Sequence, residues 1–586
     1  MTETPSGRLP LARAALVWVL LCVLLVALNG GNIATRRFPD PDDTLRLVQV
    51  RDWLAGQAWF DMHQYRIDPP HGTLMHWSRL VDLPIAAVIA GLTPLLGSSS
   101  AELAALVAVP LLTLGVIVLA VARIASRFFD SEATTFACLS LGLAPLLVAQ
   151  VQPLRIDHHG WQVAAVMVAL LGLLPGRPVR GAVVAGVALA FGLTISLESL
   201  PIVAGFGAVF GLRWLTARGN RSLPAFMAAL SATLAVLFLA TRGLADTAVH
   251  CDTVSPAHLA LAAVVTLPAL ALAAFRAERP VVVVAVLAAA GVAGLAVFLS
   301  LAPQCAAGPF GNLDPLVRHY WYDNVQEGQP VWKWSLALAL PVLFAGGAAL
   351  AVLVHFARVR PAAERRWWLE YLIVAAVAYL AALLTLRSQA FVSALSAVPL
   401  GWLTVRLLER VHAAGRPSRR IAAALVATAI LIPAVPMAIA GAVSARAAAA
   451  GTQAQVVKTS ACDFRHTVPR LDALPRGTIF APLDMGPEIL VMSRHAVVAT
   501  SHHRAAAAMH DVIAAFTSPA DRAHALLRQH GAGYLALCTD IAEPRIYAQA
   551  APHGLAADLL AGRTPKWLAP VEIGAPRQFK LWRVVG

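Results

Sequence analysis

The sequence predicts a polytopic α-helical membrane protein of about 13 transmembrane helices, closed at its carboxyl end by a small extracytoplasmic α/β domain. Three observations predict it. Only 13% of the 586 residues are charged and 58% are apolar, whereas soluble domains carry about 25% charged residues. The apolar residues arrive in runs of about 18 to 25, the length at which a helix rising 1.5 Å per residue crosses about 30 Å of hydrocarbon. Basic residues fall mostly in alternate short loops between the runs, as they do when Lys and Arg remain on the cytoplasmic side. That distribution, and no patch for nucleic acid, accounts for the formal charge of +14.

The first span runs from about Leu11 to Leu28 behind Arg8 and Arg13. It lacks a small-residue cleavage site and reads as a retained anchor with its amino terminus in the cytoplasm. Arg123 and Arg127, Arg177 and Arg180, Arg213 to Arg221, Arg276 to Arg279, Arg358 to Arg366 and Arg406 to Arg420 mark successive inner loops. For these to alternate, the short stretch Leu83 to Leu96, with Pro84 and Pro94, must lie at the outer face without crossing. The expected spans are then 11–28, 101–122, 132–150, 161–175, 181–197, 201–215, 223–241, 256–275, 281–301, 333–357, 368–386, 389–407 and 421–446. An odd number puts the carboxyl end outside. The expected division is a membrane domain over 1–446, with outer loops 29–100, 151–160 and 302–332, and an outer domain over 447–586.

The tail reads as α/β. Thr478 to Pro482, Ala496 to Thr500 and Tyr534 to Leu537 are short apolar strands, and His503 to Phe516 and Pro519 to Gln529 are helices. Cys251, Cys305, Cys462 and Cys538 all fall in outer segments, an oxidising location, so two disulfides are expected with the pairing left open. The spans hold almost no ionisable residues, Glu198 being the main candidate exception. A coupled transporter or pump places such residues within its spans. Chemistry is therefore expected at one face, in an enzyme of the outer surface.

Three constellations carry that expectation. The first outer loop opens Phe38-Pro39-Asp40-Pro41-Asp42-Asp43-Thr44, carboxylates suited to a hard dication such as Mg²⁺ or Mn²⁺; a solvated acidic turn is the bland alternative. The loop after the third span reads Pro153-Leu154-Arg155-Ile156-Asp157-His158-His159. On an extended stretch Asp157 and His159 point the same way and share one metal; a polar interfacial turn anchored by Trp161 is the alternative. The loop before span ten carries Asn324-Val325-Gln326-Glu327-Gly328-Gln329-Pro330.

Together these motifs resemble the catalytic subunit of oligosaccharyltransferase, within the GT-C superfamily of polyprenol-dependent glycosyltransferases. Asp42, followed by Arg51-Asp52-Trp53-Leu54-Ala55-Gly56, is similar to the family's first-loop acidic motif. Asp157-His158-His159 resembles the archaeal form of its second metal motif, and Val325 to Pro330 its Val-x-Glu-x-Gln-Pro segment. Arg387 resembles the arginine that meets the donor phosphate, although Pro399 follows at a longer distance than usual, and a snorkelling interfacial arginine is the alternative. Asp68-Pro69-Pro70-His71-Gly72, leading to Trp77-Ser78-Arg79-Leu80, looks like the loop end before a horizontal helix in related GT-C transferases. The departure is at the tail: the family's Trp-Trp-Asp motif for the Asn-x-Ser/Thr sequon is missing, and Ala481-Pro482-Leu483-Asp484-Met485-Gly486 stands in its place.

The resemblance implies a metal-dependent glycosyltransferase that moves a sugar or oligosaccharide from a polyprenyl phosphate or pyrophosphate to a glycan, lipid or protein acceptor. It implies Asp42, Asp157 and His159 as metal ligands, Asp42, Asp43 and Glu327 as catalytic residues, and Arg387 as the phosphate contact. Asp40, Arg155, His158, Tyr320, Trp321, Asp484, His503 and Arg504 are secondary candidates. A bacterial inner membrane, with the tail in the periplasm, suits the alanine- and arginine-rich composition. A protein oligosaccharyltransferase, or a non-enzymatic lipid-linked glycan flippase or assembly component, are the alternatives.

Overall fold

A computed structural model of the chain describes residues 8–217, 220–276, 279–413, 415–432, 435, 437–439 and 460–586. It divides into two compact units: one comprises Met1–Ile33, Ser78–Gly311 and Glu327–Ala454, and the other Ala34–Trp77, Asn312–Gln326 and Gln455–Gly586. The boundary expected at 446/447 falls outside the described residues.

The first unit is a helix bundle. Helices are the form an apolar chain takes where no water is present to satisfy its backbone groups. Among the described residues eleven helices are long and apolar enough to cross a membrane, against about thirteen expected. Ten of them match expected spans: Leu11–Leu28, Ser98–Phe128, Pro178–Ile195, Leu197–Thr216, Ser222–Thr241, Pro256–Ala274, Pro280–Leu301, Leu338–Val359, Ala362–Leu384 and Leu386–Ala413. The eleventh is Arg79–Leu96, which the charge alternation sets outside the crossing count. The expected span 132–150 is broken: Ser131–Gly142 stops, and Pro145, which has no N–H to donate, opens a separate turn Pro145–Val148. The span 161–175 is the shorter helix His159–Leu171. The last span, 421–446, begins as Pro417–Leu431 and otherwise lies largely outside the described residues.

Small residues set how closely the helices approach. A Cβ at Gly181 would sit 2.0 Å from the Gly172 carbonyl oxygen, and one at Gly172 would sit 2.3 Å from that of Gly181, so the turn joining His159–Leu171 to Pro178–Ile195 tolerates no larger residue at either position. A buried ion pair ties two other helices together, with Arg213 Nε 2.8 Å from Glu370 Oε1 and Nη2 2.5 Å from Oε2. Cys251 and Cys305 form a disulfide.

The second unit is built on a five-stranded sheet. Its strands are β3 (Thr478–Phe480), β4 (Ala496–Val497), β5 (Ala532–Cys538), β6 (Leu568–Pro570) and β7 (Phe579–Val584), in the order β4-β3-β5-β7-β6. The β4-β3-β5 part is parallel, and helices Gly486–Met492, Ala506–Thr517 and Ala520–Gln529 form its crossovers. β7 pairs antiparallel with β5 and β6. Ile479, Phe480, Val512, Phe516, Leu535 and Leu537 are buried in its core. A disulfide joins Cys462 to Cys538 at the end of β5.

Two loops from between the membrane helices complete this unit. Residues 34–77 hold the helix Pro41–Leu54 and a hairpin of β1 (His63–Gln64) and β2 (Thr73–Leu74). They join the tail through an Ile67–Val497 bridge and through Arg51 and Arg66, which donate to the carbonyls of Val491 at 2.6 Å and Ser493 at 2.9 Å. The segment 312–326 brings the helix Pro315–Tyr320, where the Asp314 carboxylate caps the helix and meets His510 Nδ1 at 2.9 Å. Three stretches that share one folded unit share one side of any bilayer the helices cross. Parity then constrains the crossings: an even number must lie between Trp77 and Asn312, where the chain has nine apolar helical segments counting the broken one, so at least one of them does not cross.

Candidate functional site

In the first unit the candidate site begins after Pro145–Val148. Leu154, buried and left-handed at φ 71°, turns the chain, and its N–H donates to the Leu106 carbonyl at 2.9 Å. The chain then runs through Asp157 into a helix whose first residue is His159, with His158 at φ −82°, ψ −18°. This corrects the extended reading of the motif. Because His158 is already helical, period-two alternation does not apply, and the two imidazoles flank Asp157 instead of only the second one sharing its side.

The distances define a buried cluster. Asp157 Oδ1 lies 2.5 Å from His158 Nδ1, and Oδ2 lies 3.7 Å from His159 Nε2 and 3.8 Å from Arg155 Nη2. Arg155 also donates through Nε to Gln150 Oε1 at 3.1 Å. All four charged or titratable side chains are buried. Burial pushes the Asp157 carboxyl up, but His158, His159 and Arg155 pull it down further, leaving it well below the usual carboxylate range and ionised.

The cluster continues along a second row of side chains. His159 Nδ1 faces Glu198 Oε2 at 3.5 Å, and Arg387 Nε donates to Glu198 Oε1 at 2.9 Å. Arg387 Nη1 lies 3.6 Å from Glu327 Oε1. Local sequence explains the placement. Glu198 sits in the 3-10 turn Leu197–Ser199, capped by Ser196, and Arg387 in the 3-10 turn Leu386–Ser388, where Thr385 and Ser388 hydroxyls bond at 2.6 Å. Both turns break long apolar helices and put one charge each at the break. Four separate stretches of chain thus supply one line of groups: Arg155, Asp157, His158, His159, Glu198, Arg387 and Glu327. The sequence singled out Glu198 as an exceptional charge, near the outer end of an apolar span, and assigned it no role; that position was the signal.

Asp157, His158 and His159 can offer ligand atoms lying within 4.8 Å of one another. His159 Nδ1, 3.5 Å from Glu198 Oε2, is buried without a hydrogen bond among the described residues, and Nε2 is the nitrogen turned to Asp157. A carboxylate flanked by imidazoles is a donor set that accepts a divalent transition metal.

The remaining sequence candidates belong to the second unit. Asp40 caps the helix Pro41–Leu54, its Oδ1 accepting the Asp42 N–H at 2.9 Å. Asp42 is half-buried and Asp43 wholly buried in the first turn. Asp484, exposed, lies close enough to Asp40 for their charges to interact. Its turn is held from below: Glu543 accepts the N–H groups of Leu483 and Asp484 at 2.7 and 2.9 Å and the Tyr547 hydroxyl at 2.5 Å. A Cβ on Gly486 would lie 2.6 Å from the Ala499 carbonyl oxygen, so this turn demands glycine. Tyr320 packs edge-on against Tyr547 at 5.6 Å. Trp321 stacks on His503 at 6.5 Å, and Arg504 donates its N–H to His502 Nδ1 at 3.4 Å.

No model of a known protein family matches the sequence, and no curated protein matches it either. Solved structures do match. The chain is similar to the archaeal oligosaccharyltransferase AglB from Archaeoglobus fulgidus, in complex with an inhibitory peptide and a dolichol-phosphate, at a TM-score of 0.67 and 15% identity over 98% of this chain and 76% of that one. It is similar to the Archaeoglobus fulgidus oligosaccharyltransferase tethered by a disulfide to an acceptor peptide containing the NVT sequon, at 0.62 and 16% over 96% and 73%. It is also similar to that enzyme's complex with Zn and sulfate, at 0.58 and 15% over 94% and 71%. The chain has the oligosaccharyltransferase fold over nearly its whole length.

Proposed function

We propose that the chain is an integral-membrane GT-C glycosyltransferase, transferring a sugar or oligosaccharide from a polyprenyl phosphate or pyrophosphate to an acceptor at the outer face of the membrane. The observation that carries this reading is the line from Arg155 to Glu327, buried from Arg155 to His159 and half-buried at Glu198, Arg387 and Glu327, gathered from four separate stretches of chain. The fold supports it, since the similar AglB structure holds a dolichol-phosphate.

In this reading Asp157 and His159 would hold a divalent cation, Mg²⁺ or Mn²⁺, and the family resemblance adds Asp42 as a further ligand. When bound, the ion supplies Lewis-acid stabilisation of the charge that develops on the leaving phosphate. The other steps belong to side chains. Arg387 binds the phosphate, and Glu198 fixes its guanidinium by taking Nε. Glu327 orients the acceptor, and Asp42 or Asp43 accepts its proton. Tyr320, Trp321, His503 and Arg504 offer aromatic and polar surface to sugar. The reading places the chain in a bacterial inner membrane with the second unit in the periplasm.

A second reading, transfer to a protein asparagine, is favoured by the similarity to a structure carrying an acceptor peptide. The absence of the Trp-Trp-Asp motif at Ala481-Pro482-Leu483-Asp484 weighs against it. Purified protein, incubated with membrane lipid-linked glycan and either an Asn-x-Thr peptide or an envelope lipid fraction, separates the two by which product acquires sugar. No turnover of lipid-linked glycan with any acceptor fraction would remove the enzyme reading.

A further inference from the structure

Three histidines of the second unit, from stretches more than 400 residues apart in sequence, meet on one face of it. His76 leaves β2, and His502 and His503 follow β4. His76 Nδ1 lies 3.0 Å from His502 Nε2, and the rings of His76 and His503 and of His502 and His503 are 4.9 and 4.8 Å apart. We propose that His76, His502 and His503 form a binding site for a transition-metal dication of the Zn²⁺ type, with all its ligands drawn from the second unit.

The spacing is that of a metal site. Nitrogen ligands about 2.0–2.1 Å from a tetrahedral zinc stand about 3.3 Å from one another. One pair is already at 3.0 Å, and all three offered nitrogens lie within 4.8 Å, so side-chain rotation of about 1.5 Å or less closes the set. The donors are imidazoles alone. Such a set selects Zn²⁺, Ni²⁺ or Cu²⁺ over Mg²⁺ and Mn²⁺, which prefer oxygen, and this distinguishes it from the carboxylate-centred cluster of Asp157.

The surroundings hold one ligand rigid and leave the others reachable. His502 is 2% exposed, and Trp77, itself 1% exposed, packs edge-on against it at 5.0 Å. Arg46 covers the indole at 4.7 Å. His76 and His503 are half-buried, so a cation enters from their side. The Arg504 N–H reaches His502 Nδ1 only at 3.4 Å, a contact loose enough to yield as a metal takes Nε2 and the ring proton moves to Nδ1. His76 Nδ1 and His502 Nε2 stand 3.0 Å apart as a hydrogen bond in which one ring donates and the other accepts; a dication between them takes the place of that proton. Three protein ligands leave a fourth position for water or an anionic group, the arrangement of zinc sites that act on a substrate.

The test uses the full-length protein in detergent, stripped by chelation and titrated with Zn²⁺ calorimetrically and with Co²⁺ by visible absorption. The proposal expects one Co²⁺ with the intense d–d bands of tetrahedral nitrogen coordination. These bands survive Asp157→Asn but are lost in both His76→Ala and His503→Ala, with Zn²⁺ binding at this site weakened at least about tenfold. Neither substituted side chain belongs to the core, and metal-free melting equal to wild type certifies each fold. His76→Gln and His503→Gln stand in for any alanine variant that melts early. Bands unchanged in the histidine variants, or the absence of any Co²⁺ signal beyond the one that Asp157→Asn removes, would overturn the site.

Discussion

Arg387 points its Nε at Glu198 Oε1 across 2.9 Å and keeps a terminal nitrogen for Glu327, 3.6 Å away. Glu198 in turn faces His159. A guanidinium anchored at Nε has its fork fixed in direction, which is what bidentate recognition of phosphate needs. Removing the anchor should therefore cost orientation before it costs charge. Arg387→Ala is expected to lower kcat/KM for the lipid-linked donor about 10²-fold or more. Glu198→Ala should give a smaller loss, and the double variant should be no worse than Arg387→Ala alone, since residues acting as a unit are not additive. Fully additive losses would show that Glu198 acts elsewhere.

Asp157 is touched by two imidazoles and a guanidinium. Under the proposed function, Asp157→Ala and Asp42→Ala leave the protein folded in membranes and reduce glycan transfer by about 10³-fold or more. Chelation should do the same to wild type, with recovery on adding Mn²⁺ or Mg²⁺. Wild-type rates in either variant would take that residue out of the metal site, and full activity after chelation would take the metal out of the reaction.

Much of this was legible in the sequence because a hydrocarbon core writes its demands plainly: ten spans follow from apolar runs alone. The tail strands at 478, 496 and 534 were legible as short apolar runs, whereas β6 and β7 were not. β6 ends in Pro570 at the sheet edge, and β7 sets charged Lys580 and Arg583 on either side of buried Leu581 and Trp582, a weaker signal than a continuous run. Site residues were legible where unlike groups cluster in sequence, as at Asp157-His158-His159. His76 was not, since a lone histidine before Trp77 acquires meaning only when the fold brings His502 to it. Nor did local pattern reveal that Ala34–Trp77 folds with the tail, because that pairing is made by backbone contacts such as Arg66 to Ser493.

The parity of crossings yields a topological prediction. If Arg79–Leu96 is the segment that does not cross, Gly97 to Ser100 remain on the side of Trp77 and of the whole second unit. A Ser100→Cys variant in a Cys22→Ala, Cys138→Ala background should then react with a membrane-impermeant maleimide in intact cells, as should a cysteine placed at the exposed Arg563. Labelling at 563 but not at 100 until the cells are opened would mean that Arg79–Leu96 crosses and another of the nine segments does not.

Three acids of the second unit, Asp484, Glu488 and Glu543, are pushed above their ordinary values by desolvation, and Glu543 contributes to the unit's pH dependence. It is buried beneath the Asp484 turn, and burial, with the nearby charge of Asp484, pushes its carboxyl from the ordinary 4.5 up to about 8. Between those values the native state keeps a proton that the unfolded chain has released, so stability falls as pH rises through the window, by up to about 1.4 kcal/mol per pH unit. Melting of the full-length protein in detergent is therefore expected at higher temperature at pH 5 than at pH 8. Glu543→Gln cannot lose a proton and should make that slope shallower, Glu488 and Asp484 supplying what remains. It also gives up one of the two carboxylate oxygens, of which Oε1 accepts the Leu483 N–H and the Tyr547 hydroxyl and Oε2 the Asp484 N–H, so at pH 5 it should be less stable than wild type by about 1–3 kcal/mol, with the gap narrowing toward pH 8. An identical slope in the variant would assign the pH dependence to other groups and leave Glu543 as a backbone clamp alone.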